Sequence, residues 1–448
     1  MNAANGSVVD ALIRAGMSPS EAERKQPLFA AAEQLLAARG ATVTHRWFVP
    51  GRIEVLGKHT DYAGGRSLLC TAERGMCVVA TPRADSALRV VDAVDGRSAE
   101  LQISPNLPVA DAHWNVYIAT VARRVARNFP GTLRGADIAI ASDLPRASGM
   151  SSSSVLVTAL FSILAQFNAL AARTEYASNI RVGEDLAAYI SCIENGRSFG
   201  SLAGDKGVGT FGGSEDHTAI ICSRPGALRR YSFCPVRAEG IVPFPASCVF
   251  VIAASGVKAS KTGAARDRYN RVSKAAEAVL SAWRAASGEG PTTLRDAVAA
   301  SPDSAARIRA ALERASVPGF SPDDLRNRFG QFLLESEEII PAACAALERL
   351  DLAAFGELVD RSQRGAELCL GNQIPQTIEL ARSARALGAV AASAFGAGFG
   401  GSVWSLVPRE SAAEFRDAWR RRYETAFPGD AARSEFFITA PGPPCTAL

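Results

Sequence analysis

The stretch Pro145-Arg146-Ala147-Ser148-Gly149-Met150-Ser151-Ser152-Ser153-Ser154 decides how this chain is read. A strand-like apolar run precedes it, Ala136 to Ala141, broken only by Asp137. A helix-like apolar run follows, Val155 to Ala171. The small-residue loop therefore opens a helix, where free backbone N–H groups and the helix dipole favour phosphate. The serine hydroxyls add hydrogen bonds or a metal ligand. No Gly-Lys-Ser/Thr follows the glycine, so the loop is not a Walker A motif. Alone, such a loop is more often a plain helix N-cap. Two other glycine-bearing segments change its weight.

The first is Pro50-Gly51-Arg52-Ile53-Glu54-Val55-Leu56-Gly57-Lys58-His59-Thr60-Asp61-Tyr62-Ala63-Gly64-Gly65. It gathers Arg, Lys, His and Asp after a strand-like run, which suits a small polyhydroxylated ligand because carboxylate and imidazole bond hydroxyls directionally. Taken alone it reads as a charged surface turn. The second is Phe395-Gly396-Ala397-Gly398-Phe399-Gly400-Gly401-Ser402, whose glycines permit close backbone approach. Alone it is equally a tight turn between strands.

In this order the three segments resemble the three motifs of the GHMP small-molecule kinases, and of the galactokinase branch in particular. The branch pattern PGRxNxxGEHTDYxGG stands here as PGRIEVLGKHTDYAGG at 50–65. The pattern PxxxGLSSS matches 145–154, with Met150 in place of Leu, and GAGFGG matches 396–401 without a mismatch. His113-Trp114-Asn115-Val116-Tyr117 resembles the aromatic stretch between motifs one and two. The resemblance runs from about residue 45 to about residue 410.

It implies an α+β, two-domain GHMP kinase fold with mixed, largely antiparallel sheets and the active site between the domains. It implies ATP and Mg²⁺ as cofactors, and phosphorylation of the anomeric C1 hydroxyl of galactose or a related monosaccharide. Residue by residue, Asp216 in Gly212-Gly213-Ser214-Glu215-Asp216-His217 matches the catalytic aspartate of a CGxMDQ-like segment. Arg52 matches the arginine that approaches the phosphate and that base. Pro145, Gly149, Met150, Ser151, Ser152, Ser153 and Ser154 match the nucleotide loop, Ser153 and Glu194 the Mg²⁺ ligands, and Trp114 the adenine wall. Lys58, His59, Asp61, Gly213, Tyr269 and Gly398 match the sugar site. His217 is expected to be structural.

Three departures stand out. Lys58 replaces a glutamate that bonds the sugar's C6 hydroxyl, Glu54 replaces an asparagine, and a longer segment separates Glu194 from Asp216. A cation near C6 suits a carboxylate, so a uronic-acid 1-kinase is one alternative, and Lys58 turned to solvent or paired with Asp61 or Glu54 is the plain reading. A catalytically idle sugar and ATP sensor is another; Arg52, Asp216 and the complete serine run argue against it.

The bulk composition agrees with a soluble enzyme. Of the 448 residues 48% are hydrophobic and 21% charged, ordinary for a globular protein. A net charge of +4 gives no nucleic-acid footprint. The nine cysteines, an odd number without paired spacing, argue against a disulfide framework, and with no CxxC a zinc site is not expected. Residues 1–16 lack an apolar signal core, and Ala159 to Ala172 is too short to span a bilayer. A cytoplasmic protein is expected, monomeric or weakly dimeric, with no membrane partner.

The expected organisation is a helical extension at 1–44, an N-terminal ATP-binding domain at 45–240 and a C-terminal domain at 241–448. Periodicity places two helices in 8–39, the second opened by a capping box at Ser18-Pro19-Ser20-Glu21. Thr218 to Cys222 and Leu228 to Phe233 are expected to form a strand pair, and Pro441-Gly442-Pro443-Pro444 an irregular tail.

Overall fold

Strand β1 (His45–Leu56) is buried along nearly its whole length, so both its faces must be covered. The computed structural model describes residues 7–108, 114–145, 148–257 and 263–448. His113, Arg146 and Ala147 lie outside the described residues. With β1, the strands β2 (Arg66–Pro82), β3 (Ala87–Asp92), β4 (Ser98–Gln102), β5 (Ala136–Ser142), β6 (Ala227–Ser232) and β7 (Arg237–Pro243) build the larger sheet. The smaller sheet holds β8 (Cys248–Ala254), β9 (Ala391–Phe395), β10 (Ser402–Pro408) and β11 (Glu435–Thr439) in the order β11-β8-β10-β9. A last strand, β12 (Thr446–Ala447), returns to pair with β1. The β3–β5 pair is parallel; the other pairings are antiparallel, as in β1–β2 and β10–β8. The architecture is the expected α+β one, with mixed sheets and helices.

In chain order the helices that matter for the site are α1 (Val8–Arg14), α2 (Pro19–Ala37), α3 (Asn115–Asn128), α4 (Ser152–Phe167), α5 (Thr174–Asn179), α6 (Gly183–Asn195), α7 (Glu215–Cys222) and α8 (Gly263–Ser287). They are followed by α9 (Leu294–Ala299), α10 (Ser304–Glu313), α11 (Pro322–Leu333), α12 (Ile340–Glu348), α13 (Leu352–Gly365), α14 (Pro375–Ala386) and α15 (Ala412–Ala426). A π-helical turn at Leu334–Ile339 joins α11 to α12.

Strand alternation assigns each face its cover. Trp47, Val49, Ile53 and Val55 enter the main core, whereas Phe48 joins Leu12, Phe29 and Leu36 of α1 and α2 on the opposite face. In the smaller sheet Phe250, Ile252, Trp404 and Leu406 face that same main core. Val249, Val251, Val403 and Phe436 face Leu380 of α14 and Trp419 of α15. One apolar core thus runs beneath both sheets. Helices α8 to α11 form a separate cluster against Ala63 and Tyr62, which braces the loop after β1. Among the described residues no helix is long and apolar enough to cross a membrane.

Two local expectations are corrected. Ser18 caps α2 without a side-chain bond, because Glu21 is engaged with buried Lys25 at 2.9 Å; the capping box belongs instead to Ser7 and Asp10 of α1. Thr218 to Cys222 is not a strand but the body of α7. Its β-branched residues favour a strand locally, yet burial of Thr218, Ala219 and Ile220 and an acidic first turn favour the helix. Pro441 to Pro444 is irregular as expected, and Thr446 beyond it pairs with Phe48.

Candidate active site

Arg52 and Glu54 are two residues apart on β1, so they project from one face. Across a cleft from them α7 begins, and Asp216 occupies its first turn, where the helix dipole favours a carboxylate. Arg52 donates from Nε and Nη2 to Asp216 Oδ1 at 2.8 and 2.6 Å. Its Nη1 is buried and has no partner among the described residues. Burial opposes the guanidinium charge, but Asp216, Glu215 and Glu54 outweigh it and hold Arg52 more firmly protonated than a free arginine.

The serine loop forms the second wall. Ser151 sits at the N-cap of α4 in the left-handed conformation, φ 63°, and its buried Oγ has no hydrogen-bond partner among the described residues. Ser152, Ser153 and Ser154 form the first turn. Ser153 Oγ donates to Glu194 Oε1 at 3.3 Å, and Ser154 Oγ lies 2.9 Å from Glu194 Oε2 and 3.3 Å from Asp216 Oδ2. The long segment between Glu194 and Asp216 therefore still returns α7 to the end of α6; Arg123, bonded to Asp205, anchors it. His217 Nε2 lies 3.2 Å from Glu194 Oε2. Met150 is fully buried in the core and contributes its carbonyl, which accepts the Arg52 N–H at 3.3 Å. Pro145 accepts the Ser148 hydroxyl at 2.8 Å.

The glycine loop closes the third side. Gly396 has φ +80°, and a Cβ there would lie 2.8 Å from the Gly149 carbonyl, so motifs two and three touch backbone to backbone. Ser402 Oγ donates to the Ser148 carbonyl at 2.7 Å, a second tie.

At the floor, His59 Nε2 bonds the Ala397 carbonyl at 3.1 Å and Nδ1 bonds the Tyr62 hydroxyl at 3.1 Å. A carbonyl only accepts, so in the neutral ring Nε2 carries the proton and Nδ1 accepts from Tyr62. Asp61 accepts from the Tyr62 and Glu215 backbone N–H groups at 2.8 and 3.1 Å, while burial pushes its carboxyl up. A Cβ on Gly213 would fall 2.2 Å from the Asp61 carboxylate, so only glycine fits there. The Tyr269 ring stands 5.8 Å from that of His59.

One cleft is thus lined by Arg52, His59, Asp61, Gly149, Ser151, Ser154, Glu194, Gly213, Asp216 and Tyr269 together. Of the expected residues, Pro145, Met150, Ser152 and Ser153 belong to the loop and helix start behind this lining, and Lys58, Gly398 and Trp114 also lie outside it. Lys58 does not face this cleft: its Nζ donates to Ser362 of α13 at 2.8 Å, drawn into a buried network with Glu335 and Glu54. Gly398 packs against Asn372 behind the loop. Trp114 precedes α3, half-buried against the core, with the Arg97 guanidinium 5.2 Å over its ring. Sequence reasoning missed Glu54, Tyr62 and Glu215 as cleft residues. The signal for Glu215 was its place beside Asp216; Glu54 was noted only as a departure.

Comparison with known proteins agrees with this geometry. Residues 38–82 match the galactokinase galactose-binding signature, 116–196 the GHMP kinases N terminal domain, and 343–425 the GHMP kinases C terminal region. The chain is 31% identical to a galactokinase of Roseiflexus sp. over 384 residues, covering 84% of this chain and 87% of that one. It is 28% identical to a galactokinase of Chloroflexus aggregans, over 82% and 84% of the two chains. The crystal structure of Lactococcus lactis galactokinase complexed with galactose superposes with a TM-score of 0.75 at 20% identity, covering 94% of this chain and 99% of that one, which shows a common fold. With three motif walls meeting in one cleft and this identity sustained along most of its length, the chain belongs to the galactokinase branch of the GHMP kinase family.

Proposed function

We propose that this protein is an ATP-dependent kinase that phosphorylates the C1 hydroxyl of galactose. The observation that carries the reading is the Arg52–Asp216 pair at the meeting point of the three motif walls. Asp216 accepts the proton of the anomeric hydroxyl as its oxygen attacks the γ-phosphorus in line. Arg52, whose Nη1 is uncommitted, offsets charge on the transferring phosphoryl group. The N–H groups of the first α4 turn and the Ser151 hydroxyl bind the donor phosphates. His59, Asp61, Gly213 and Tyr269 hold the sugar, and Trp114 contacts the adenine.

The hydroxyl of Ser153 and the carboxylate of Glu194 are hard oxygen donors side by side, a fit for Mg²⁺, which takes few protein ligands and completes its shell with phosphate and water. Bound there, the ion would neutralise phosphate charge. Apart from the end of β7 and β12, the larger sheet falls within residues 45–240 and the smaller within 241–448, which supports these segments as the two lobes around the cleft. Nine free cysteines suit a cytoplasmic location.

The uronic-acid alternative loses its support with Lys58 turned to Ser362, and an idle sensor is disfavoured by the assembled Arg52–Asp216 pair. Coupled ADP release across pentoses, hexoses and uronic acids tests the reading, with phosphorus NMR locating the product phosphate. Galactose as preferred acceptor, phosphorylated at C1, is expected. Turnover of a uronic acid in preference to galactose, or of no sugar, overturns it.

A further inference from the structure

Glu54 and Glu215 line the cleft yet take part in no step above. Both are buried, 3% and 6% exposed, and they flank Arg52: Glu54 lies two residues along β1 and Glu215 Oε1 lies 3.8 Å from the Arg52 Nε. Glu54 Oε2 accepts from the Gly396 N–H at 3.3 Å, and Glu215 Oε2 accepts from the Ser67 hydroxyl of β2 at 2.8 Å. Glu54 Oε1 has no donor among the described residues. An ionised carboxylate only accepts, so two ionised groups cannot bond one another. A single proton supplies the missing donor and removes the like-charge repulsion.

The charged surroundings leave little alternative. Arg52 of β1, Lys58 and Asp61 of the loop after it, Asp216 of α7 and Glu335 of the π-helical turn face the pair. Arg52 commits two donors to Asp216 and reaches Glu215 Oε1 only at 3.8 Å. Lys58 is bonded to Ser362. Burial, the largest influence, pushes both carboxyls up, that of Glu215 well above the ordinary range.

We propose that Glu54 and Glu215 hold one proton between them and act as a positioning pair, keeping the Arg52 guanidinium committed to Asp216 and the cleft receptive to an anionic phosphoryl donor. The inference rests on the kinase reading above. Loss of the shared proton places a second negative charge beside Arg52, which competes with Asp216 for the guanidinium and repels nucleotide phosphates. The sign of the stability effect follows. A carboxyl raised by folding contributes stability that is complete below its unfolded pKa and is lost as pH rises through the folded value.

The test compares full-length wild type, Glu54→Gln and Glu215→Gln between about pH 5 and about pH 9. Glutamine is isosteric and its amide is a permanent donor. Wild-type Tm is expected to fall as pH rises, with kcat/KM for ATP declining on the alkaline side through KM more than kcat. Each variant should flatten the Tm slope and shift the alkaline limb upward by about one pH unit, a tenfold change in proton affinity. Identical Tm slopes and alkaline limbs in wild type and both variants overturn the pair. ADP release with no monosaccharide would instead defeat the kinase reading, and the unfolding slopes alone would then decide the pair.

Discussion

The wall of the cleft built by β1 and its loop carries Arg52, Glu54, His59 and Asp61, all of them buried, with Lys58 buried behind it. The wall built by α4 is uncharged at its tip, offering Ser151 to Ser154 and a helix N-terminus. The first fixes few atoms by many ionic bonds in a dry setting, where each charge must be balanced. The second presents short hydroxyls and backbone N–H groups that leave room for a ligand carrying its own charge. Acceptor-side changes should therefore alter chemistry or folding, and donor-side changes mainly binding.

The strongest way to break this contrast is Asp216→Asn. It keeps shape and ATP binding, and kcat should fall roughly 10²–10⁴-fold, the usual cost of losing a general base. A near-normal turnover number would remove Asp216 as base. Lys58→Met comes next. Removing the cation from a buried network should cost about 3–5 kcal/mol of unfolding free energy, read by denaturant titration, while the ratio of galactose to galacturonate turnover stays fixed. A changed ratio would return Lys58 to the sugar site.

Gly213→Ala sharpens the geometry of the floor. The added methyl meets the Asp61 carboxylate, and displacement of a positioning group by about 1 Å costs up to ~10²-fold. The loss should appear in kcat/KM for sugar with KM for ATP unmoved; an unaffected sugar term would separate Asp61 from the acceptor. The smallest effect belongs to the donor side. Trp114→Ala should raise KM for ATP a few-fold, since an aromatic contact contributes about 0.5–1.5 kcal/mol. A change confined to the sugar KM would move Trp114 out of the adenine pocket.

Much of the cleft was legible in the chain because its motifs are local. Glycine-rich turns and the serine run declare themselves within ten or sixteen residues, and Arg52, Asp61, Ser154 and Asp216 stand together in the folded protein. Local reading was less able where long-range burial decides. It turned α7 into a strand, since its β-branched residues carry strand propensity and only packing against the rest of the molecule makes them helical. It aimed Lys58 at the sugar, since nothing near residue 58 announces Ser362 or Glu335.

The sequence by itself determined the family, the α+β class and the residue types that phosphoryl transfer requires, because these reside in short contiguous motifs with fixed backbone demands. Only the tertiary structure decided which charges meet. Arg52 and Asp216 are bonded across 164 positions of chain, and Lys58 reaches Ser362 across 304. Glu54 and Glu215 line the same cleft because β1 and α7 face it. Charge balance in a buried site depends on such through-space neighbours, and sequence separation carries no information about them.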